Sequence, residues 1–312
     1  MDVTRLNIAS SLIKLGPTRG RFWRRDFFAW ALRGWSTAYT LLQSNLRPSV
    51  GFSDSTETRR AFESYQLGEA LTFWFAQHHL GVEVVTPVER LRDSISKHQL
   101  ASPPPKGLPA NYRAPKKVGP RSEPDLIGFS GADTHVLECK GLSSFAEGRP
   151  VSPSQVTSAR NKALFQVCRI ATINGVAPKT RTACVFSFDT ATRGLVVDPP
   201  ETEAFDLRFN LASALRKAYA SVLNEQFIEV SETVGDGLIG AQIAPGWTFG
   251  IDASVMGLVA ALSDQASAER LLGYLKERRT QSPFTGGPML DFGPDGLFLS
   301  GPEDNPDFRD QL

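Results

Sequence analysis

Two carboxylates and one ammonium group fall in one short stretch of the chain, in a pattern that metal-assisted hydrolysis uses. Asp125 opens an apolar run, and Glu138 and Lys140 close a second run beyond the turn-rich residues 130–133. Two apolar runs joined by such a turn predict a β-hairpin. At the two-residue period of a strand, Glu138 and Lys140 project from one face and Cys139 from the other. A carboxylate from each strand can then share a divalent cation, while the ammonium orients a water or offsets charge on a phosphate.

The same residues carry a family resemblance. Pro124-Asp125 followed by Glu138-Cys139-Lys140 resembles the signature of the PD-(D/E)xK nuclease superfamily, which shares the restriction-endonuclease-like fold. No other lysine in the sequence has an acid two positions earlier. The resemblance implies that Asp125, Glu138 and the Cys139 carbonyl bind Mg²⁺ or Mn²⁺, with Lys140 beside the reacting phosphate. An ordinary hairpin with a surface Glu–Lys pair is the competing interpretation.

The helix expected before the hairpin supplies a further acid. Apolar residues at three- and four-residue spacing predict a helix over 57–80, with Gly81 as its stop, and a strand over 82–88. The resemblance implies that a Glu of this helix completes the metal site. Glu69 is the first choice and Glu63 the reserve, while a solvated surface Glu is the structural alternative.

The elements after the hairpin complete a recognisable order. The pattern predicts a helix over 154–173, a buried strand over 181–189 and a helix over 205–223. Together with the preceding helix, strand and hairpin, this order is similar to the αβββαβ core of the superfamily, over about residues 61–225. The predicted fold class is therefore α/β: a mixed central sheet flanked by helices, with a helical N-terminal and a mixed C-terminal extension.

Several basic and polar residues are weaker candidates for nucleic-acid contact. The helix over 154–173 offers Arg160, Lys162 and Gln166, because superfamily members place such residues near the metal. The Pro-rich basic stretch 94–122 is either a flexible insertion or a loop that faces substrate, and it offers Lys116 and Lys117.

The first 56 residues predict a basic, aromatic, helical extension. Its aromatic residues recur at helical spacing and are interleaved with arginines. The aromatic stripe contains Phe22, Trp23, Phe27, Trp30 and Trp35. The arginines are Arg19, Arg21, Arg24, Arg25 and Arg33. Three interpretations are open: packing on the rest of the protein, a nucleic-acid surface with stacked bases, and a membrane-surface or partner helix.

The core is expected to span 57–225 and to be followed by two further segments. A C-terminal α/β extension covers 226–281, with strands over 227–230 and 238–243 and helices over 253–262 and 265–279. The final segment, 282–312, is acidic and rich in Gly and Pro, a composition that predicts disorder. The alternative is a tail that folds over a basic cleft.

The overall composition indicates the class of protein and its expected location but not its activity. The 312 residues carry a net charge of +1, with 41% hydrophobic and 21% charged residues, as in ordinary globular proteins. Any phosphate-binding surface must therefore come from local clustering of Lys and Arg. Cys139, Cys168 and Cys184 are far apart and are expected to be reduced and buried. Because no signal peptide or membrane span is recognisable, the expected location is the cytoplasm.

The sequence thus predicts an Mg²⁺- or Mn²⁺-dependent nuclease. DNA, the superfamily's usual substrate, is favoured over RNA, and a protein partner or a homodimer with two sites is compatible with the sequence. Standalone nucleases of this kind resemble those of bacterial defence or mobile-element systems. The alternatives are an inactive nuclease-fold subunit that binds nucleic acid or assembles with proteins, and a helical interaction protein acting through its N-terminal residues.

Overall fold

A computed structural model describes residues 3–16, 27–91, 124–144, 150–198, 206–235, 237–281 and 290–302. Within these ranges the chain forms ten helices: α1 (Arg5–Leu15), α2 (Phe27–Leu41), α3 (Val50–Ser53), α4 (Glu57–His79), α5 (Val88–Leu91), α6 (Pro153–Val167), α7 (Leu211–Ala218), α8 (Glu225–Val230), α9 (Ala253–Ala260) and α10 (Gln265–Gln281). The same ranges contain twelve strands: β1 (Val84–Pro87), β2 (Leu126–Ser130), β3 (Asp133–Ser143), β4 (Thr172–Ile173), β5 (Thr180–Phe188), β6 (Thr192–Val197), β7 (Asp206–Leu207), β8 (Glu232–Thr233), β9 (Leu238–Ala244), β10 (Trp247–Asp252), β11 (Leu290–Phe292) and β12 (Leu297–Ser300).

A mixed five-stranded sheet forms the centre of the fold, in the order β1-β2-β3-β5-β6. β2 and β3 form the predicted hairpin, with Ser130 opposite Asp133 across its turn. β3 and β5 run parallel, because α6 connects them as a crossover, and the other neighbours are antiparallel. Both α4 and α6 pack on β3 and β5. The predicted mixed α/β class is confirmed.

Helix α4 lies unusually close to β3, and a glycine makes this approach possible. A Cβ atom at Gly141 would overlap the carbonyl oxygen of Ser64, so any larger residue would meet the helix backbone. Gly141 therefore faces α4. Since strand residues alternate, Cys139 shares that face, while Glu138 and Lys140 project from the opposite face of the sheet.

The ends of the core elements follow local signals in the sequence. Gly81 has φ +71°, a left-handed conformation that suits glycine, and the Val82 N–H donates to the Ala76 carbonyl at 3.1 Å. The predicted helix stop is confirmed. The Ser152 side chain caps α6, which ends at Val167, six residues before the predicted end.

Capping asparagines explain one wrong boundary and one wrong element. The helix expected over 205–223 begins only at Leu211, where the Asn210 side chain accepts from Ser213 N–H at 2.8 Å. Residues 206–207 form β7, paired with β4. The strand expected over 227–230 belongs to helix α8, which the Asn224 side chain caps by accepting from Gln226 N–H.

A second, antiparallel sheet has the strand order β11-β12-β10-β9-β8. The expectation of a disordered acidic tail is wrong for residues 290–302, since they form two of these strands. Asp291 and Asp295 are buried, and Lys14 of α1 lies between them, with N–O distances of 3.8 and 3.3 Å. Gln77 of α4 donates to Asp295 at 2.9 Å. Residues 290–302 are thus ordered and take part in a buried ionic network. Residues 282–289 and 303–312 lie outside the described ranges.

The N-terminal helices pack on this second sheet and its neighbours. The ring centres of Phe27 and Phe227 are 5.4 Å apart, and those of Trp35 and Trp247 are 5.6 Å apart. For Phe27 and Trp35 the packing interpretation is therefore confirmed, whereas the candidates at 19–25 lie outside the described part of the chain. The apolar core is continuous from α1 to β12.

Two further expectations concern cysteines and membranes. The three cysteines are free and buried, as predicted. Among the described helices, none has both the length and the apolar character needed to cross a membrane.

Candidate active site

Asp125 and Glu138 hold each other in place where β2 and β3 meet. The Asp125 N–H donates to Glu138 Oε2 at 2.9 Å, and the Cys139 N–H donates to Asp125 Oδ2 at 3.0 Å. These bonds lie just beyond Leu126 and Leu137, the last paired residues of the hairpin. The two carboxylates therefore replace backbone pairing at this point and fix the start of β2 against β3.

Lys140 contacts Glu138 directly, and its side chain is more exposed than that of Glu138. Its Nζ lies against Glu138 Oε1, and its side chain is 23% exposed while that of Glu138 is fully buried. Burial raises the pKa of Glu138 well above its usual range, and the charge of Asp125 adds to this. Burial alone would lower the pKa of Lys140, but the neighbouring carboxylates outweigh it and raise the value to about 12. Lys140 is therefore a cation at neutral pH.

Helix α4 brings two more groups to the acids. The Tyr65 hydroxyl donates to Asp125 Oδ1 at 3.3 Å. Glu69, four residues later, is buried, and burial followed by the charge of Asp125 raises its pKa to about 8. Burial, together with the charge of Asp125, therefore favours a proton or a cation at Glu69.

Arg90 is the cation that partly offsets Glu69. Its guanidinium contacts the Leu15 carbonyl and donates to the Lys217 carbonyl at 3.3 Å, at the carboxyl ends of α1 and α7. Burial lowers the pKa of Arg90 to about 10, and the charge of Glu69 counteracts it. Arg90 therefore contacts the ends of two helices and interacts electrostatically with Glu69.

The other predicted residues lie on α4, on α6 or outside the described chain. Glu63, the reserve, accepts hydrogen bonds from Arg59 at 2.7 Å and from Ser55 at 3.3 Å. Three candidates lie on α6, where Lys162 is exposed and the other two are half-buried: Arg160, Lys162 and Gln166. Lys116 and Lys117 lie outside the described residues.

Sequence reasoning missed Tyr65 and Arg90. Tyr65 stands four residues before Glu69, so both project from one side of the same helix, and this spacing was a usable signal. Arg90 had no comparable signal, because its partners are carbonyls at distant helix ends.

The charges of the cluster do not balance. Lys140 contacts Glu138, and Arg90 interacts electrostatically with Glu69. These two cations accompany three acids, Asp125, Glu138 and Glu69, and the last two have raised pKa values. Within the described ranges, no group of three or more His, Cys, Asp or Glu side chains is arranged to hold a metal ion by itself. At neutral pH the cluster therefore binds a proton, or else needs a cation from solution.

Replacing Glu69 by glutamine is expected to stabilise the metal-free protein at alkaline pH. The pKa of Glu69 is about 8 in the folded protein and 4.5 ordinarily, so the folded state holds the proton more tightly. Below pH 4.5 the carboxyl is protonated in both states. As pH rises towards 8, the wild type loses up to about 5 kcal/mol that neutral glutamine keeps. Denaturant unfolding in EDTA at several pH values measures this, and parallel curves for the two proteins would contradict it.

Comparison with known proteins adds no family to this description. No protein-family model, no curated protein and no solved structure matches the chain. Any function assigned to the cluster therefore depends on the residues and contacts of this chain alone.

Proposed function

We propose that the protein is a metal-dependent nuclease that hydrolyses phosphodiester bonds in nucleic acid, with DNA favoured. The observation that carries the proposal is the pair of reciprocal hydrogen bonds between Asp125 and the Glu138-Cys139 segment, with Lys140 in contact with Glu138. Two carboxylates and an ammonium are thereby held together at one end of a strand pair, where a phosphate can approach the partly exposed lysine.

The element order supports the same proposal. Apart from the short elements α5 and β4, the chain runs through α4, β1, the β2–β3 hairpin, α6 and β5, and β3 and β5 are parallel neighbours in one sheet. This order resembles the αβββαβ core of the superfamily whose signature Asp125, Glu138 and Lys140 resemble. We therefore propose that residues 57–225 form such a core.

The donor atoms fit Mg²⁺ or Mn²⁺. Asp125, Glu138 and the Cys139 carbonyl offer only hard oxygen ligands, and Glu69 adds another in surroundings that favour a positive charge. Mg²⁺ is commonly held by one or two carboxylates together with waters and substrate phosphates, so a full cage of protein side chains is not required. When bound, the ion would supply Lewis-acid polarisation of the phosphate and a lower pKa for its water.

The residues of the chain have separate tasks in this proposal. Asp125 and Glu138 would hold the cation, and Tyr65 orients Asp125 through its hydroxyl. Lys140, which keeps its proton, stabilises negative charge that develops on the phosphate and orients the attacking water. Glu69, whose pKa of about 8 favours the protonated form at neutral pH, would lose its proton when a cation binds and add a negative charge near Asp125.

A cleavage assay tests the proposal. Plasmid, linear duplex, single-stranded DNA and RNA are each incubated with Mg²⁺, Mn²⁺ or EDTA. Lys140→Ala is expected to lower the cleavage rate by about 100- to 1000-fold, because a preorganised charge beside the phosphate is lost. Lys179→Ala is the matched control, since Lys179 forms an exposed ion pair with Asp133 at the far end of the hairpin. Equal rates for the two variants would contradict the assignment.

Thermal melting provides a second readout that does not depend on catalysis. Mg²⁺ or Mn²⁺ is expected to raise the melting temperature of the wild type, because the cation binds only the folded protein. Asp125→Asn should remove this effect. A wild type whose melting temperature ignores both ions would count against the metal site.

A second candidate function is a non-catalytic nuclease-fold subunit that binds nucleic acid or assembles with proteins. One observation favours it: both carboxylate oxygens of Glu138 are already engaged, one by Lys140 and one by the Asp125 N–H. Folded wild-type protein that binds nucleic acid but cuts no substrate with either ion would select this candidate.

A further inference from the structure

An exposed aromatic surface begins one helical turn from the acids. Phe62 is 50% exposed and Tyr65 is 38% exposed. Both lie on α4, three residues apart, so they are neighbours on one face and about 4.5 Å apart along the helix axis. The Tyr65 hydroxyl donates to Asp125, and the surface is therefore continuous with the candidate active site.

Helix α2 adds a positive charge to this surface. The guanidinium carbon of Arg33 lies 5.7 Å from the ring centre of Phe62 and 5.9 Å from that of Trp30. Arg33 is exposed, and the two rings hold its guanidinium by cation–π attraction. We call Arg33, Trp30, Phe62 and Tyr65 the aromatic platform.

The chemistry of the platform fits one kind of ligand. Every nucleobase has a flat face that stacks on an aromatic ring, and guanidinium groups bind phosphate. Phe62 lies three residues before Tyr65, whose hydroxyl contacts Asp125, so a strand stacked on Phe62 would run towards the acids. In an intact duplex the base faces are already stacked on one another, so only an unpaired base can use the ring.

We propose that the aromatic platform binds single-stranded nucleic acid, with an unstacked base on Phe62 and a phosphate on Arg33. This inference rests on the proposed nuclease, because the platform adjoins the proposed active site, and it gives that enzyme a substrate class. Single strands, flaps and frayed ends are then preferred over intact duplex. The positive charge of Arg33 complements a phosphate, and the hydrogen bond from Tyr65 to Asp125 connects the platform to the acids. Both features favour this occupant over a protein partner.

Fluorescence anisotropy in EDTA tests the platform without cleavage. A labelled single-stranded oligonucleotide and its duplex are each titrated with full-length protein. Phe62→Ala is expected to weaken single-strand binding by about 5- to 150-fold, the effect of one lost base stack, and to change duplex binding little. Phe62→Tyr keeps a ring and should bind as the wild type does. Ile228→Ala is the control, because Ile228 is a similarly exposed apolar residue, at 52%, on α8.

The outcomes separate this inference from the nuclease proposal. Phe62-dependent binding by a protein that cuts nothing would keep the platform and reject the nuclease. Metal-dependent cutting whose preference between single and double strands is the same in Phe62→Ala and Ile228→Ala would keep the nuclease and reject the platform. Wild-type protein that binds no single strand, or that prefers duplex, would also overturn the platform.

Discussion

Replacing Lys14 by methionine is expected to lower the free energy of unfolding by about 3 to 5 kcal/mol. Lys14 is buried between Asp291 and Asp295, and methionine keeps its length without its charge. Both carboxylates would then be buried with no cation. Asn7 at 2.7 Å, Gln77 at 2.9 Å and the Leu297 N–H at 3.0 Å also donate to these carboxylates, but all three groups are neutral. Denaturant unfolding of the wild type and the variant measures the difference.

Two matched proteins decide whether charge is the cause. In a triple variant with Lys14→Met, Asp291→Asn and Asp295→Asn, the unpaired charges are gone, and much of the stability should return. Lys179→Met removes one partner of the exposed pair with Asp133 and should cost less than about 1 kcal/mol. If Lys14→Met costs no more than Lys179→Met, the buried network does not stabilise the fold.

Replacing Gly141 by alanine is the second change with a large expected effect. The new Cβ would overlap the Ser64 carbonyl oxygen, so α4 must move away from β3. Overpacking of this kind costs about 1 to 3 kcal/mol or more. Because α4 carries Tyr65 and Glu69, its displacement also separates them from Asp125. A shift of about 1 Å at a reacting site can lower the rate about 100-fold.

The measurement combines unfolding by denaturant with the cleavage rate on the best substrate. Gly257→Ala is the control, because a Cβ at Gly257 in α9 has no atom within 4 Å, and alanine favours a helix by about 1 kcal/mol. Gly141→Ala with wild-type stability and rate would mean that α4 can retreat from β3 at no cost.

Much of the acid cluster could be predicted because a hairpin fixes register locally. Once the turn over 130–133 was recognised, the two-residue period placed Glu138 and Lys140 on one face and opposite the start of β2. The hydrogen bonds between Asp125 and the Glu138-Cys139 segment are a direct consequence of that register. Sequence alone did not predict how deeply Glu138 would be buried, since burial depends on elements far away in the chain.

The errors have physical causes that are specific to their elements. Phe227 to Val230 is a short apolar run, equally suited to strand and helix, and the Asn224 cap decided for helix. β6 and β10 were not predicted. β6 is a largely exposed edge strand, and β10 lacks the strict alternation of buried and exposed residues that indicates a strand. Residues 290–302 contain two Asp, three Gly and two Pro, but also three Leu and two Phe, of which Leu297, Phe298 and Leu299 are buried. Lys14, the ionic partner of Asp295, lies 281 positions earlier in the chain and could not be identified from the local pattern.

The pairing of Lys14 with Asp295 also sets an order of events while the chain is made. The two residues are 281 positions apart, so at about 5 to 20 residues per second the lysine is synthesised roughly 15 to 55 seconds before its partner. Throughout that interval Asp291 and Asp295, the ionic partners of Lys14, are missing. The packing of α1 in the described fold is therefore completed only after β11 and β12 have been synthesised.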